Sequence, residues 1–125
     1  MSPARALHGL LTNLKTKQLA KMNSYKDSSG QWHKKIEIDR KIRDAKKDKE
    51  QSQLDEYGYN FCETCKKGGI LDCSHIISVD DCQKSGRSEI AYDVRNIEIL
   101  CRECHENHHL KSKQEKEQLY KSKLL

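Results

Sequence analysis

At 125 residues the chain has room for one compact domain and one appended arm. Only 34% of its residues are hydrophobic and another 34% are charged, with a single Phe and a single Trp. That excludes a large apolar core, and a domain of this kind needs a metal or disulfides to hold it. The charge of +5 sits in front: residues 1–55 carry 13 Lys+Arg against 7 Asp+Glu, and residues 56–125 carry 11 against 12. The front half therefore either faces a polyanionic partner or presents a solvated helix face.

The first fifteen residues have no unbroken apolar stretch, so no signal peptide is read there, and no segment approaches the ~18 apolar residues of a membrane span. The expected compartment is the cytoplasm, where thiols stay reduced and paired Cys-x-x-Cys units point to metal.

Ser2-Pro3 places an N-cap before a proline at the first helical position, and Leu7, Leu10, Leu11 and Leu14 follow at helical spacing. A helix is predicted over roughly 3–23, with Lys15, Lys17 and Lys21 on its other face, and Ser28-Ser29-Gly30 ends the pattern. A second helix is predicted from about 31 to 55. Trp32, Ile36, Ile42 and Ala45 form a thin apolar stripe on it, too thin to pack strongly, so a long exposed helix is expected. The aromatics Tyr57, Tyr59 and Phe61 then open a different region. Lys66-Lys67-Gly68-Gly69 reads as a turn, Ile70 to Val79 as a strand, Gln83 to Ser88 as a loop, and Ile90 to Val94 as a second short strand. One helix is expected from about Arg102 to the end. The divisions follow: a basic helical arm over 1–56, a module over 57–112 and a helical tail over 113–125, an α+β chain.

Cys62-Glu-Thr-Cys65 and Cys101-Arg-Glu-Cys104 are two C-x2-C units 35 residues apart. Four thiolates at this spacing suit a tetrahedral Zn²⁺ site, and a filled four-cysteine shell is structural. Cys73 is expected as a small core side chain, and Cys82, in a polar stretch, as a free thiol.

Between the cysteine pairs stand Ser74-His75-Ile76-Ile77 and Arg95-Asn96-Ile97, and the second pair leads on into Cys101-x2-Cys104-His105-x3-His109. Over roughly residues 58–112 the chain resembles the HNH, or ββα-metal, nuclease family. The resemblance rests on a His at the end of the first strand, an Asn before the helix and a His directly after the second cysteine pair. It implies a zinc-stapled, treble-clef-like ββα fold and a phage or mobile-element origin. It also implies a metal-dependent DNA endonuclease leaving 5′-phosphate and 3′-hydroxyl ends. His75 takes the place of the general base, Asn96 that of the amide bracing the loop between the strands, and His105 that of a catalytic metal ligand.

The residues themselves suit this chemistry. An imidazole that titrates near neutrality can deprotonate water, and a divalent cation can stabilise the charged oxygens of a phosphodiester. His105 and His109, four residues apart on a helix, lie on a face distinct from that of Cys101 and Cys104, so both can reach one cation. His108 turns towards the cysteine side and reads as a surface or supporting histidine. Asn96 alternatively caps a helix.

The family commonly has Asp or His before the base histidine, and here Ser74 stands there, with Asp72 two residues earlier on the same side of the strand. Either could donate to the cation, which is Mg²⁺, Mn²⁺, Ni²⁺ or Zn²⁺; two imidazoles favour a transition metal. Arg87, Arg95 and Arg102 are candidate phosphate contacts, with solvent-facing charge as the alternative. The expected partner is DNA, or RNA. One site nicks, and a double-strand break needs a homodimer or two events. The competing readings are a zinc-dependent nucleic-acid-binding module that does not cut, which Ser74 keeps open, and an accessory subunit of a larger phage complex.

Overall fold

The computed structural model describes residues 23–125. The predicted first helix, over roughly 3–23, falls outside them. Strands β1 (Ser24–Lys26) and β2 (Trp32–Lys34) form an antiparallel hairpin in which Tyr25 pairs with His33. Its turn is organised by one carboxylate. Asp27 Oδ1 accepts from the Ser29 N–H and hydroxyl and from the Gln31 N–H, Oδ2 meets His33 Nε2 at 2.6 Å, and Gly30 supplies φ +89°. The Ser29 hydroxyl, then His33, hold the Asp27 carboxyl well below the usual range.

Helix α1 therefore begins at Lys35, not 31, and runs to Tyr57, ending at Gly58 (φ +81°), whose N–H bonds to Leu54 O at 2.7 Å. Trp32 and Ile36 do not belong to its buried stripe, being 50% and 74% exposed. The buried stripe is Ile38, Ile42 and Ala45, at i, i+4 and i+7, extended by Gln53. Contrary to the expected exposed helix, Ile38 and Ile42 enter the core with Ile76, Ile77, Cys82, Ile90, Ala91 and Tyr120. One core thus draws on the segment predicted as an arm, on the central module and on the C-terminal segment.

β3 (Leu71–His75) pairs antiparallel with β4 (Ile97–Cys101), His75 opposite Ile97 and Ser74 opposite Glu98. Cys73, His75, Ile97 and Ile99 share one face of this sheet, and Asp72, Ser74, Glu98 and Leu100 the other. The predicted first strand stops at His75, because Ile76 and Ile77 turn into the core and Ser78 caps helix α2 (Val79–Lys84), its Oγ accepting from the Asp81 N–H at 3.1 Å. The predicted strand at Ile90 to Val94 is instead part of two 3-10 turns, Ser88–Tyr92 and Val94–Asn96. Strand β4 follows them, with Ile97, Glu98, Ile99 and Leu100 all buried. A strand covered on both faces shows no alternation by which to find it.

The C-terminal helix is two: α3 (Arg102–His109) and α4 (Lys113–Lys123). The break falls where Ser112 caps α4, its hydroxyl accepting from the Glu115 N–H at 3.1 Å. Tyr120 returns α4 to the core and donates its hydroxyl to Asp93 Oδ2 at 2.7 Å. The described residues make a small α+β structure of two two-stranded sheets and four helices. Among them no helix is long and apolar enough to cross a membrane.

Candidate functional site

The four predicted cysteines come together. Cys62 and Cys65 lie on a knuckle closed by Cys62 N–H to Lys67 O and Lys66 N–H to Cys62 O, both 2.8 Å, with Lys66 at φ +67°. Cys101 ends β4 and Cys104 stands in the first turn of α3. Glu63 fixes the knuckle to β4: its N–H donates to Ile99 O at 2.8 Å and its carboxylate accepts from the Ile99 N–H at 2.6 Å. Gln53 of α1 grips the knuckle's entrance, taking the Phe61 N–H on Oε1 and giving Nε2 to Phe61 O, each at 3.0 Å.

The four sulfurs lie within 4.8 Å of one another, with Cys65 and Cys101 3.6 Å apart. Tetrahedral bonds of about 2.3 Å put sulfurs about 3.8 Å apart, so the cluster could hold a zinc ion. The electrostatics agree. Burial pushes the Cys62 thiol up, but the backbone N–H groups of Cys65, Cys101 and Thr64 outweigh it and bring Cys62 to about 6. Cys104 is pushed up to about 12, first by the Cys101 sulfur and then by burial. Four thiolates this close cannot all ionise without a cation among them.

The other two cysteines exchange their expected places. Cys82 is the core residue, wholly buried, and burial pushes its thiol up to about 12. Cys73 is half-buried, its sulfur 3.3 Å from Glu50 Oε1, and burial followed by Glu50 pushes it up to about 12. Neither is a reactive thiol.

A cleft of about 280 Å³ is lined by Ser74 and His75 at the end of β3, by His105 and His109 of α3, and by Lys46 of α1 and Lys116 of α4, among others. His75 Nε2 meets Ala91 O at 2.8 Å. A carbonyl only accepts, so Nε2 carries the proton and Nδ1 keeps the lone pair. Burial lowers the His75 pKa, the Ala91 carbonyl opposes this, and the Lys46 charge lowers it further. The ring is therefore neutral at neutral pH.

His105 and His109 bring their Nε2 atoms to 3.0 Å. That is the separation of neighbouring ligands at a right angle about a cation with bonds of about 2.1 Å. Burial, then the His105 and Lys116 charges, hold the His109 pKa down, which keeps a lone pair available. Asp72 lies on the other side of His105, with Oδ2 3.7 Å from Nδ1. Among the described residues only the cysteines form a group of three or more potential metal ligands within 4.8 Å, so neither Asp72 nor any other His, Cys, Asp or Glu makes a compact third ligand to the histidine pair. Ser74 is buried to 3% exposure at the cleft wall. Its cross-strand neighbour Glu98, not singled out in the sequence, is buried with Oε1 lacking a partner among the described residues.

Asn96, wholly buried, accepts the Ile77 N–H on Oδ1 at 2.8 Å and donates Nδ2 to Ile77 O at 3.0 Å. Its backbone carbonyl accepts the Ile76 N–H at 2.8 Å. This clamp fixes the chain just after His75. Asn96→Ala is expected to cost about 2–4 kcal/mol, since it leaves a buried N–H and C=O unpaired. A urea melt reads the loss, and an unchanged midpoint would mean the clamp is not needed. Of the two expected places for His108, surface or supporting, the surface one is excluded: it is 4% exposed, and Nε2 donates to Ile76 O at 3.0 Å.

Each predicted phosphate-contact arginine has a carboxylate neighbour. Arg87 pairs through both terminal nitrogens with Glu117, Arg95 pairs with Asp93 at 2.9 Å, and Arg102 Nε lies 3.5 Å from Asp72. The cations that reach the histidine cleft are Lys46 and Lys116, which the sequence reading did not single out. The available signal for Lys46 was its place four residues after Ile42, beside the buried stripe. No protein-family model matches the chain, and searches of curated proteins and of solved structures likewise find no match.

Proposed function

We propose that the protein is a metal-dependent endonuclease of the HNH type, hydrolysing phosphodiester bonds in DNA, with a structural Zn²⁺ on Cys62, Cys65, Cys101 and Cys104. The observation that carries this reading is the shared cleft: a neutral His75 and a close pair of imidazoles, His105 and His109, line one space. His75 accepts a proton from water at Nδ1, and the Ala91 carbonyl stabilises the resulting imidazolium through Nε2–H. Asn96 holds the Ile76-Ile77 backbone and so the position of His75. His105 and His109 would hold the divalent cation, with Asp72 orienting His105 from its Nδ1 side. When bound, such a cation supplies neutralising charge for the phosphate and the departing 3′ oxygen. A phage or bacterial cytoplasm is the setting consistent with this reading.

Ser74 favours a second reading, a zinc-dependent module that binds nucleic acid without cutting, because a buried hydroxyl is a weak metal donor where the family commonly has an acidic or imidazole one. Supercoiled plasmid separates the two. Incubated with the zinc-loaded protein and Mg²⁺, Mn²⁺ or Ni²⁺, it is expected to accumulate as open circles, and His105→Ala with His109→Ala should abolish that metal-dependent nicking. Plasmid left supercoiled under every ion, yet bound, selects the non-cutting module.

A further inference from the structure

Four cationic side chains among the described residues are half-buried: Lys46, Lys49, Arg87 and Lys116. Two are neutralised. Lys49 Nζ lies 3.1 Å from Glu63, and Arg87 is paired with Glu117. Lys46 and Lys116 have no carboxylate within ion-pair distance among the described residues, and both line the histidine cleft. Partly desolvated charge without a partner is costly, and an anion entering the cleft would relieve it.

The cleft also has a continuation. Lys46, Cys73 and His105 line both it and an open groove of about 500 Å³ that reaches Asp72 and Arg102. The Arg102 contact to Asp72, at 3.5 Å on an exposed side chain, is loose enough to be exchanged for a phosphate. Glu50 and Asp72 line the groove as well as Lys46 and Arg102, so the lining cations without a carboxylate partner among the described residues are Lys46 and Lys116 at the cleft, and the groove gives a polymer room to continue beyond them.

We propose that Lys46 and Lys116 form a two-lysine clamp on the sugar–phosphate backbone of DNA in the histidine cleft, with the groove towards Arg102 as the continuation of the bound strand. The identity of the ligand rests on the nuclease reading, but the clamp acts in binding and needs no cut. Its parts come from α1 and α4, the two helices on either side of the cysteine-bracketed segment in sequence.

The test is the salt dependence of binding by the full-length, zinc-loaded protein to a short fluorescein-labelled DNA duplex, followed by anisotropy with no other divalent cation added. Each phosphate contact contributes about 0.9 to the slope of log K against log salt concentration. Lys46→Gln and Lys116→Gln are each expected to reduce that slope by about 1 and to weaken binding roughly 5–10-fold near 0.1 M salt. The double variant should lose about twice the slope, and Lys46→Arg should retain it. Thermal melts verify that the variants fold. A double variant with the parent slope overturns the clamp, as does a parent protein that does not bind the duplex at low salt. Lost slope in a protein that never nicks plasmid keeps the clamp and removes the nuclease reading; full nicking with unchanged slope does the reverse.

Discussion

Removing zinc from the four-cysteine cluster is expected to unfold most of residues 58–110 and to take the rest of the core with it. The segment from Gly58 to Ile70 has no helix or strand of its own; its order comes from the cysteines and from the Gln53 and Glu63 contacts. Among the described residues the principal apolar cluster has only eight buried members. Zinc on four thiolates contributes about 10–16 kcal/mol at neutral pH. Whole domains are stable by about 5–15 kcal/mol, so the metal is of the same size as the entire margin. A strong chelator should release close to one zinc per chain, read with a colorimetric dye, while far-UV circular dichroism loses its helical signal and the cooperative melt disappears. Cys104→Ser should do the same without chelator. A zinc-depleted chain with an unaltered melt would remove the metal from the account of folding.

The second large effect concerns the proposed nuclease activity. His75→Ala is expected to slow plasmid nicking by roughly 10²–10⁴-fold, the range for loss of a general base. This variant answers a question that chelation cannot, because a chelator would strip zinc from the cysteine cluster together with any cation held by the histidine pair. The substitution removes one hydrogen bond, to Ala91 O, whose net contribution is about 1 kcal/mol. The zinc content and most of the stability should therefore survive. Nicking at the parent rate, with one zinc still bound, would exclude His75 as the base.

The cysteine cluster was legible because its signal is spacing alone, and four sulfurs can converge only if the intervening chain lets them. His75, Asn96, His105 and His109 were legible as neighbours through a pattern that begins inside that staple and continues directly after its last cysteine. What the sequence concealed has physical causes. The β1–β2 hairpin has strands of three residues, too short to show alternation. β4 is buried on both faces, Glu98 included, so the exposure pattern that marks a half-exposed strand was missing from Ile97 to Leu100. Cys82 lies among polar neighbours in the chain but on the inner side of a six-residue helix, a distinction that depends on where α2 docks. Lys46 and Lys116 are ordinary members of charged helices until the packing brings their side chains to the same cleft. The end of the long C-terminal pattern at Ser112 was written in Ser112 and Glu115, a capping pair that a closer reading of local chemistry finds.

The isoleucines of α1 have a practical corollary for engineering. Ile38 and Ile42 are walls of the same hydrophobic interior that Ile76, Ile77 and Tyr120 complete. A minimal fragment cut to the cysteine-bracketed region would bare that interior on two sides at once, and grafting the histidines onto another carrier would require both flanking helices to travel with them.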